Sequence, residues 1–324
     1  MTLRETLLAL LAATHPAAAS AQLAFVSNEG SRTVTVVDLA ARRAVATIAM
    51  GARPRGIQTS PDGTRVYVAL SDDRPNEQTA GDAIAVIDVA TRRVIGRHPG
   101  GSDPEQFALT PDGRHLFAAN EDAGTASALD LRTGTVLETV VVGIEPEGVA
   151  VSPDGRWAYV TAETSNTVSI IDARTNKVAA NLLVDVRPRA VAFSPDARRA
   201  WVTAEIGGTL TAIDVRTRRI VGTVELEDLE GKPVGVVVSP DGRRVYVANG
   251  AAGTLSVVDA ASLKVVGTVK VGRRPWGVAA SRDGRFVYTA DGLSNAISVV
   301  DARALKVVAT IPVGERPWGI ALVR

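Results

Sequence analysis

Arginine and tryptophan, two residue types with binding chemistry, flank a proline in a phrase that recurs along the chain. The phrase reads GRRPWGVA at 272–279 and GERPWGIA at 314–321. Arginine carries a planar fork of N–H donors that matches a carboxylate, and tryptophan offers a flat face for stacking. We therefore predict a ligand- or partner-binding site that uses Arg53, Arg55, Arg187, Arg189, Arg274, Trp276, Arg316 and Trp318.

The remaining copies of the phrase carry other side chains beside the proline. In chain order these are Asp103, Glu105, Glu145, Glu147, Lys232 and Val234. Over all seven copies of the phrase, the residues beside the proline include seven basic and four acidic side chains, which predicts a net positive surface. Two interpretations stay open. The charges form ion pairs between neighbouring repeats while each tryptophan covers the end of the core, or they form a recognition surface, since arginine and tryptophan are enriched in binding hot spots.

A turn phrase shows that the chain is built from repeats. Ser-Pro-Asp-Gly or a close variant recurs with spacings of 50, 42, 42, 45 and 42 residues, starting at Ser60, Thr110, Ser152, Ser194, Ser239 and Ser281. Serine, proline and glycine suit the first, second and fourth positions of a type I turn. A period of about 40–45 residues is typical of propeller blades with four strands each.

Four short strands fit each repeat. GVAVS at 148–152 precedes the turn, WAYVTAE at 157–163 and TVSIID at 167–172 follow it, and a run such as KVVATIPVG at 306–314 completes the unit. These runs are rich in Val, Ile, Thr and Tyr, and no amphipathic helix interrupts them. We predict an all-β protein, a seven-bladed β-propeller with four-stranded antiparallel blades.

The two ends of the chain predict how the ring closes. After residue 21 the chain begins with LAFVSN, TVTVVD and AVATIAM, which match the second, third and fourth strands of the unit. It finishes with PWGIALVR, which matches the first strand. The N- and C-terminal strands therefore share one blade of a single domain over residues 22–324, which removes two exposed sheet edges.

The binding phrase connects the outer strand of one blade to the inner strand of the next, so we expect it at one mouth of the central channel. The loop after each second strand is expected at the same mouth. The residues it should contribute are Asn28, Ser71, Asn120, Glu163, Glu205, Asn249 and Asp291.

The phrases VYVAN, YVTAE, TVSIID and SPDG recur over the whole chain after residue 21 and resemble the YVTN-type β-propeller repeat family. Within that family, a seven-repeat exported chain of this length resembles the propeller proteins associated with pyrroloquinoline-quinone-dependent alcohol catabolism. The resemblance implies the propeller fold and an accessory role in a quinoprotein oxidation system.

Residues 1–21 have features of a secretory signal. Arg4 precedes a short apolar run at 7–13, and Ala19-Ser20-Ala21 has the A-x-A form of a signal-peptidase site. Acidic, histidine and proline residues within the segment weaken the pattern, and an alanine-rich N-terminal segment is the alternative. We expect a periplasmic or secreted protein.

Composition excludes several function classes. The formal net charge of +1 provides no electrostatic footprint for nucleic acid or an anionic membrane. The absence of cysteine excludes disulfides and thiolate metal sites. We expect a monomer that does not insert into membranes and whose partner is a protein or a small anionic ligand at the channel mouth.

Residues for enzymatic chemistry are scarce. His98 and His115 occupy unlike repeat positions and are interpreted as surface residues, and no common catalytic motif is present. We therefore expect no catalytic residue, no cofactor and no metal site, and a non-enzymatic binding or scaffold protein. The alternative is a lactonase-like hydrolase with an active site at the channel mouth.

Two acidic loops are longer than their counterparts in the other repeats, at 71–82 and 225–233. Their carboxylates could bind Ca²⁺, but neither loop has the alternating ligand spacing of a known calcium loop. A solvated acidic loop is the simpler interpretation of both.

Overall fold

The computed structural model describes residues 22–72, 79, 81–226 and 231–323. The predicted signal segment at 1–21 lies outside these residues, as do the central parts of the two acidic loops, at 73–78, 80 and 227–230. Calcium binding by these loops therefore stays a prediction. No helix long and apolar enough to cross a membrane is present in the described part of the chain.

The described residues form seven four-stranded antiparallel sheets arranged as propeller blades, which confirms the predicted fold. From the channel outward, blade 1 contains β28 (Pro317–Leu322), β1 (Leu23–Asn28), β2 (Thr33–Asp38) and β3 (Arg43–Ala49). Blade 2 contains β4 (Arg53–Thr59), β5 (Arg65–Ser71), β6 (Ala83–Asp88) and β7 (Arg93–Pro99). Blade 3 contains β8 (Pro104–Leu109), β9 (His115–Asn120), β10 (Thr125–Asp130) and β11 (Thr135–Val141).

The remaining blades repeat this plan. Blade 4 contains β12 (Pro146–Val151), β13 (Trp157–Ala162), β14 (Thr167–Asp172) and β15 (Lys177–Leu183). Blade 5 contains β16 (Pro188–Phe193), β17 (Arg199–Ala204), β18 (Thr209–Asp214) and β19 (Arg219–Glu225). Blade 6 contains β20 (Pro233–Val238), β21 (Arg244–Asn249), β22 (Thr254–Asp259) and β23 (Lys264–Lys270), and blade 7 contains β24 (Pro275–Ala280), β25 (Phe286–Asp291), β26 (Ala296–Asp301) and β27 (Lys306–Pro312).

Side-chain burial decreases from the middle strands of a blade to its outer strand. Every residue of β13 is buried, because both faces of that strand pack against neighbouring blades. The outer strand β15 instead alternates between exposed and half-buried residues. The core therefore lies between blades, and the channel-facing ends of the inner strands remain available for other contacts.

The turn phrase has a structural role in the six blades that contain it. Ser152 Oγ donates to Asp154 Oδ1 at 2.5 Å, and Gly155 N donates to Ser152 O at 2.8 Å. In the matching turn of blade 2, hydrogen bonds led by the Ser60 hydroxyl lower the pKa of Asp62 to about 2. The aspartate accepts hydrogen bonds within the turn and stays ionised.

The termini share blade 1, as the sequence predicts. β28 pairs antiparallel with β1, with Ala24 opposite Leu322 and Val26 opposite Ile320. Ile320 and Ala321 are buried and contribute to two different interblade cores. The final strand thus completes both the sheet and the packing on its two sides.

Glycine two residues after the proline lets the inner strands approach each other around the channel. A Cβ at Gly56 would lie 2.8 Å from the carbonyl oxygen of Glu105 in the next blade. At Gly148, Gly235 and Gly277 it would meet the equivalent carbonyl of the following blade. The invariant spacing P-x-G in these copies is therefore a packing requirement, and the residue between proline and glycine is free to vary.

Candidate functional site

The proline phrase lies at one mouth of the channel and is fixed there by its backbone. In six of the seven copies the residue before the proline has a left-handed backbone, with φ between 46° and 61°, at Asp103, Glu145, Arg187, Lys232, Arg274 and Arg316. Its carbonyl oxygen accepts a hydrogen bond from the loop after the second strand, such as Gly292 N to Arg274 O at 2.9 Å. This constraint holds both segments on the same face, as predicted.

The residue after the proline points into the channel and is held by the preceding blade. Ser27 Oγ donates to Arg55 O at 2.7 Å, Thr161 Oγ1 to Arg189 O at 3.0 Å and Thr203 Oγ1 to Val234 O at 2.6 Å. These bonds cross from a second strand to the next inner strand. The channel mouth is therefore a rigid ring rather than a set of independent loops.

Two of the predicted binding arginines are occupied by carboxylates of neighbouring blades. Arg189 is only 6% exposed and forms ion pairs with Glu147 (3.4 Å), Glu163 and Glu205 (3.5 Å). Arg187 is more exposed and pairs with Glu163 at 2.7 Å and Glu205 at 3.2 Å. Both arginines have the interblade role that was one of the two interpretations.

On the opposite side of the mouth, Arg53 and Arg55 are also held in ion pairs. Arg53 lies 3.3 Å from Asp103 and 3.6 Å from Glu29. Arg55 pairs with the buried carboxylate of Glu105 and lies 3.6 Å from Glu29. Four of the six predicted arginines are therefore tied into ion pairs.

Arg274 and Arg316 differ from the other arginines. Both are exposed, and neither guanidinium group forms an ion pair with any residue that the structure describes. Arg274 lies over the ring of Trp276, 4.9 Å from its centroid, and Arg189 lies at the same distance from this ring. The Trp276 and Trp318 ring centroids are 6.2 Å apart.

Arg274, Arg316, Trp276 and Trp318 line a cavity of about 340 Å³ at the channel mouth. Trp276 is partly exposed, yet its indole Nε1–H is buried and has no hydrogen-bond partner among the described residues. Trp318 is only 6% exposed and also covers the end of the core. The cavity therefore combines two free cationic groups with an aromatic wall.

In five blades, the residue predicted to lie at the channel mouth is one position too early in the sequence. Asn28, Asn120, Asn249 and Asp291 are the last residues of their strands and are buried, because strand side chains alternate and these point into the blade. Ser71 likewise ends β5 and is buried. The residues at the mouth are the next ones along the chain, and in blades 4 and 5 these are the predicted Glu163 and Glu205.

The corrected register explains why two arginines are free. Glutamate occupies the mouth position in four blades, at Glu29, Glu121, Glu163 and Glu205. In blades 6 and 7 the equivalent residues are Gly250 and Gly292, whose amides donate to Lys232 O and Arg274 O. Arg274 lies between these two glycines. The glutamate nearest Arg316 in this pattern is Glu29, which instead pairs with Arg53 and Arg55.

Across the mouth from the free arginines lies a group of carboxylates. Oxygen atoms of Asp103, Glu105 and Glu121 lie within 4.8 Å of one another. Burial raises the pKa of Glu105 well above its usual range in spite of the neighbouring Arg55, and burial also raises the pKa of Glu121. Sequence reasoning missed Glu121, although the Glu that follows the second strand in four blades was a signal that could have identified it.

Asp291 is a buried acid where three other blades have asparagine. Asn120 Nδ2 donates to Ser127 Oγ at 2.8 Å, and Asn249 Nδ2 donates to Ser256 Oγ at 2.8 Å. Asp291 Oδ2 instead accepts from Ser298 Oγ at 2.6 Å. Burial raises the pKa of Asp291 to about 6, in opposition to these hydrogen bonds.

We predict that Asp291→Asn stabilises the protein at neutral pH. The folded pKa near 6 exceeds the unfolded value of 3.8, so the favourable contribution of this group is complete below 3.8 and is lost as pH rises through 6. At pH 8 the substitution should add roughly 2 kcal/mol to the free energy of unfolding, and at pH 4 the difference should nearly vanish. Thermal unfolding of both proteins over this pH range measures the effect.

Asp283→Asn is the matched control, and its effect should have the opposite sign. Asp283 is exposed in the turn of the same blade, and a hydrogen bond from Ser281 lowers its pKa. This carboxylate stabilises the fold above its unfolded pKa, so its loss should lower the melting temperature at pH 8. A decrease in the stability of the protein on Asp291→Asn at pH 8 would contradict the cost assigned to burial of the Asp291 carboxylate.

The two histidines do not join the mouth. His98 lies on the outer strand β7 and stacks on Tyr67 with a centroid separation of 6.4 Å. His115 begins β9, at the end of that strand opposite the mouth, and both side chains are partly exposed.

The sequence matches the family described as Cytochrome D1 heme domain over residues 76–204 and 202–318. Together these segments span most of the propeller, and the chain belongs to this family. No curated relative matches the sequence.

Solved structures confirm the likeness of the fold. Hydrazine synthase of Kuenenia stuttgartiensis is 22% identical with a TM-score of 0.76, and the match covers 86% of this chain and 91% of that one. A Bacteroides fragilis protein provisionally named a 6-phosphogluconolactonase is 17% identical with a TM-score of 0.78, covering 96% and 100%. The dihydro-heme d1 dehydrogenase NirN is 20% identical with a TM-score of 0.66, covering 90% of this chain and 63% of that one.

The family description raises the question of whether this mouth fits a heme. Heme iron in proteins is held by an axial ligand such as His, Cys, Met or Tyr. None of these residue types lines the described cavity, and the internal segments at 73–78, 80 and 227–230 contain none. The free arginines and the tryptophans suit a flat anion, but the mouth does not fit a heme held through its iron.

Proposed function

We propose that the protein binds a small planar anion at the channel mouth and holds it without chemical conversion. The observation that carries the proposal is the pair of exposed guanidinium groups, Arg274 and Arg316, that lack carboxylate partners among the described residues. An arginine left free beside so many glutamates is available for an external carboxylate or phosphate, which it binds through two parallel N–H donors.

The surroundings of these arginines support a small ligand over a protein surface. The cavity of about 340 Å³ is within the size range of ligand pockets, and Trp276 supplies a stacking face. A planar polycarboxylate matches the size of the cavity, its stacking face and the charge of the two arginines.

We place this binding protein outside the cytoplasm and in the service of a quinoprotein oxidation system. The signal-like residues 1–21 support export, and the YVTN-type repeats support the quinoprotein association. Pyrroloquinoline quinone is a planar aromatic polycarboxylate, so it has the shape and charge that the cavity favours.

Titration calorimetry of the purified protein tests the proposal, with pyrroloquinoline quinone, metal-free protoporphyrin and 6-phosphogluconate as separate probes. At least one should bind, and Arg274→Gln/Arg316→Gln should weaken that binding about tenfold or more, because each charged hydrogen bond contributes about 1.5–3 kcal/mol. Arg243→Gln/Arg282→Gln removes two exposed charges at the turns on the other face and should leave affinity unchanged.

Gly292→Glu provides a second test. It places the glutamate of the other blades beside Arg274 and Arg316, where a Cβ would lie 3.3 Å from Arg274 O and 3.4 Å from Pro317 O. The new carboxylate should pair with the arginines and block the probe, whereas Gly292→Gln, of equal size, should bind it. Binding that survives both Gly292→Glu and the double arginine substitution would refute the proposal, as would the failure of every probe to bind.

A lactone hydrolase is a second candidate, favoured by the acids opposite the arginines. Glu121 lines the cavity and its pKa is raised by burial, as is that of Glu105, so either group could hold and transfer a proton at a higher pH than an ordinary carboxyl group. The free arginines would hold a phosphate group while water opens the lactone ring. Hydrolysis of 6-phosphogluconolactone above the buffer rate, lost in Glu121→Gln, would favour this candidate over simple binding.

A further inference from the structure

We propose that Asp103, Glu105 and Glu121 bind a divalent cation, and specifically Ca²⁺, at the acidic side of the channel mouth. The three side chains come from the segment before β8, from β8 itself and from the loop after β9. One carboxylate oxygen of each lies within 4.8 Å of the others. All three can therefore reach one ion with Ca–O distances of about 2.3–2.6 Å.

Glu105 points to a ligand independently of this clustering. Its side chain is fully buried, and no described residue outside the cluster donates a hydrogen bond to Oε1. The other oxygen pairs with Arg55. A buried carboxylate oxygen without a partner carries a desolvation cost that a coordinated cation would remove.

The charge balance also favours a cation. Four carboxylates on this side, Glu29, Asp103, Glu105 and Glu121, face only the two arginines Arg53 and Arg55. Glu121 forms no ion pair within the described residues. With all four carboxylates ionised, two negative charges remain, and one divalent ion would neutralise them.

The donor set favours Ca²⁺. Carboxylate oxygens are hard ligands, and Ca²⁺ accepts several of them in irregular geometry. Mg²⁺ keeps most of its water and is usually bound by one or two carboxylates. Glu121 also lines the cavity of the free arginines, so the ion would face an anion bound there.

The experiment is calorimetric titration of CaCl₂ into the EDTA-stripped full chain, with thermal unfolding in parallel. We expect one Ca²⁺ per chain and a higher melting temperature in its presence. Glu121→Gln should weaken binding about tenfold or more, since even outer-shell changes cost this much. Glu145→Gln is the control, because Glu145 is exposed at the same mouth, binds Thr164 Oγ1 and lies outside the cluster.

Three results would overturn the proposal: no Ca²⁺ binding, binding that Glu121→Gln leaves intact, or equal loss in Glu145→Gln. Absence of Ca²⁺ binding would mean that a shared proton alone holds Glu105 and Glu121 together. Arg274→Gln/Arg316→Gln should still bind Ca²⁺, so failure of the cation site and failure of the anion site can be told apart.

Discussion

Deletion of Trp318–Arg324 should unfold the protein at temperatures where the intact chain is fully folded. The deletion removes nearly all of β28, the inner strand of blade 1, and with it the buried side chains of Trp318 and Ile320. Each large apolar side chain contributes about 1.5–3 kcal/mol, and the unpaired edge of β1 adds to the loss, so a cost on the order of 5 kcal/mol or more is expected. Circular dichroism during heating measures it.

Two further measurements make this test specific. Removal of Val323–Arg324 alone ends the chain just after β28 and should lower the melting temperature only slightly. A synthetic peptide of residues 315–324 added to the truncated protein should restore part of the lost stability by pairing with β1. An unchanged melting temperature after the longer deletion would show that the shared blade does not hold the ring closed.

Arg189→Ala should cost about 3–5 kcal/mol at neutral pH, the penalty for breaking a buried ion pair from one side. The arginine is 6% exposed, and its removal leaves the carboxylates of Glu147 and Glu163 buried without their main partner. It also uncovers one face of Trp276. Chemical denaturation of the variant and of the parent protein measures the difference in the free energy of unfolding.

Arg187→Ala is the matched control. Arg187 pairs with two of the same acids, but its side chain is 45% exposed, so solvent screens the interaction and the cost should stay below about 1 kcal/mol. Equal losses of unfolding free energy in Arg189→Ala and Arg187→Ala would mean that the burial of Arg189 does not determine its contribution to stability. The pair of variants therefore compares the contribution of a buried arginine ion pair with that of an exposed one.

Much of the site was predictable from the repeats. The P-x-G spacing and the turn phrase place Arg274, Trp276, Arg316 and Trp318 at equivalent positions of neighbouring blades, and equivalent positions in a closed ring lie at the same mouth. The glutamate that follows the second strand in four blades was also visible in the sequence. Aligning the repeats on the preceding asparagine shifted the predicted column by one residue, and in a strand one residue reverses the direction of the side chain.

The sequence by itself determined the seven-fold repeat, the four strands of each blade and the shared blade 1, because these depend on local turn chemistry and on a pattern of apolar residues that each copy carries. Only the tertiary structure decided which arginines are free. Arg187 and Arg274 occupy the same position in their repeats, yet ion pairing depends on distance in space, and the acids that reach Arg187 come from two other segments of the chain. Where Gly250 and Gly292 replace those acids, the ring leaves a cationic group for a ligand.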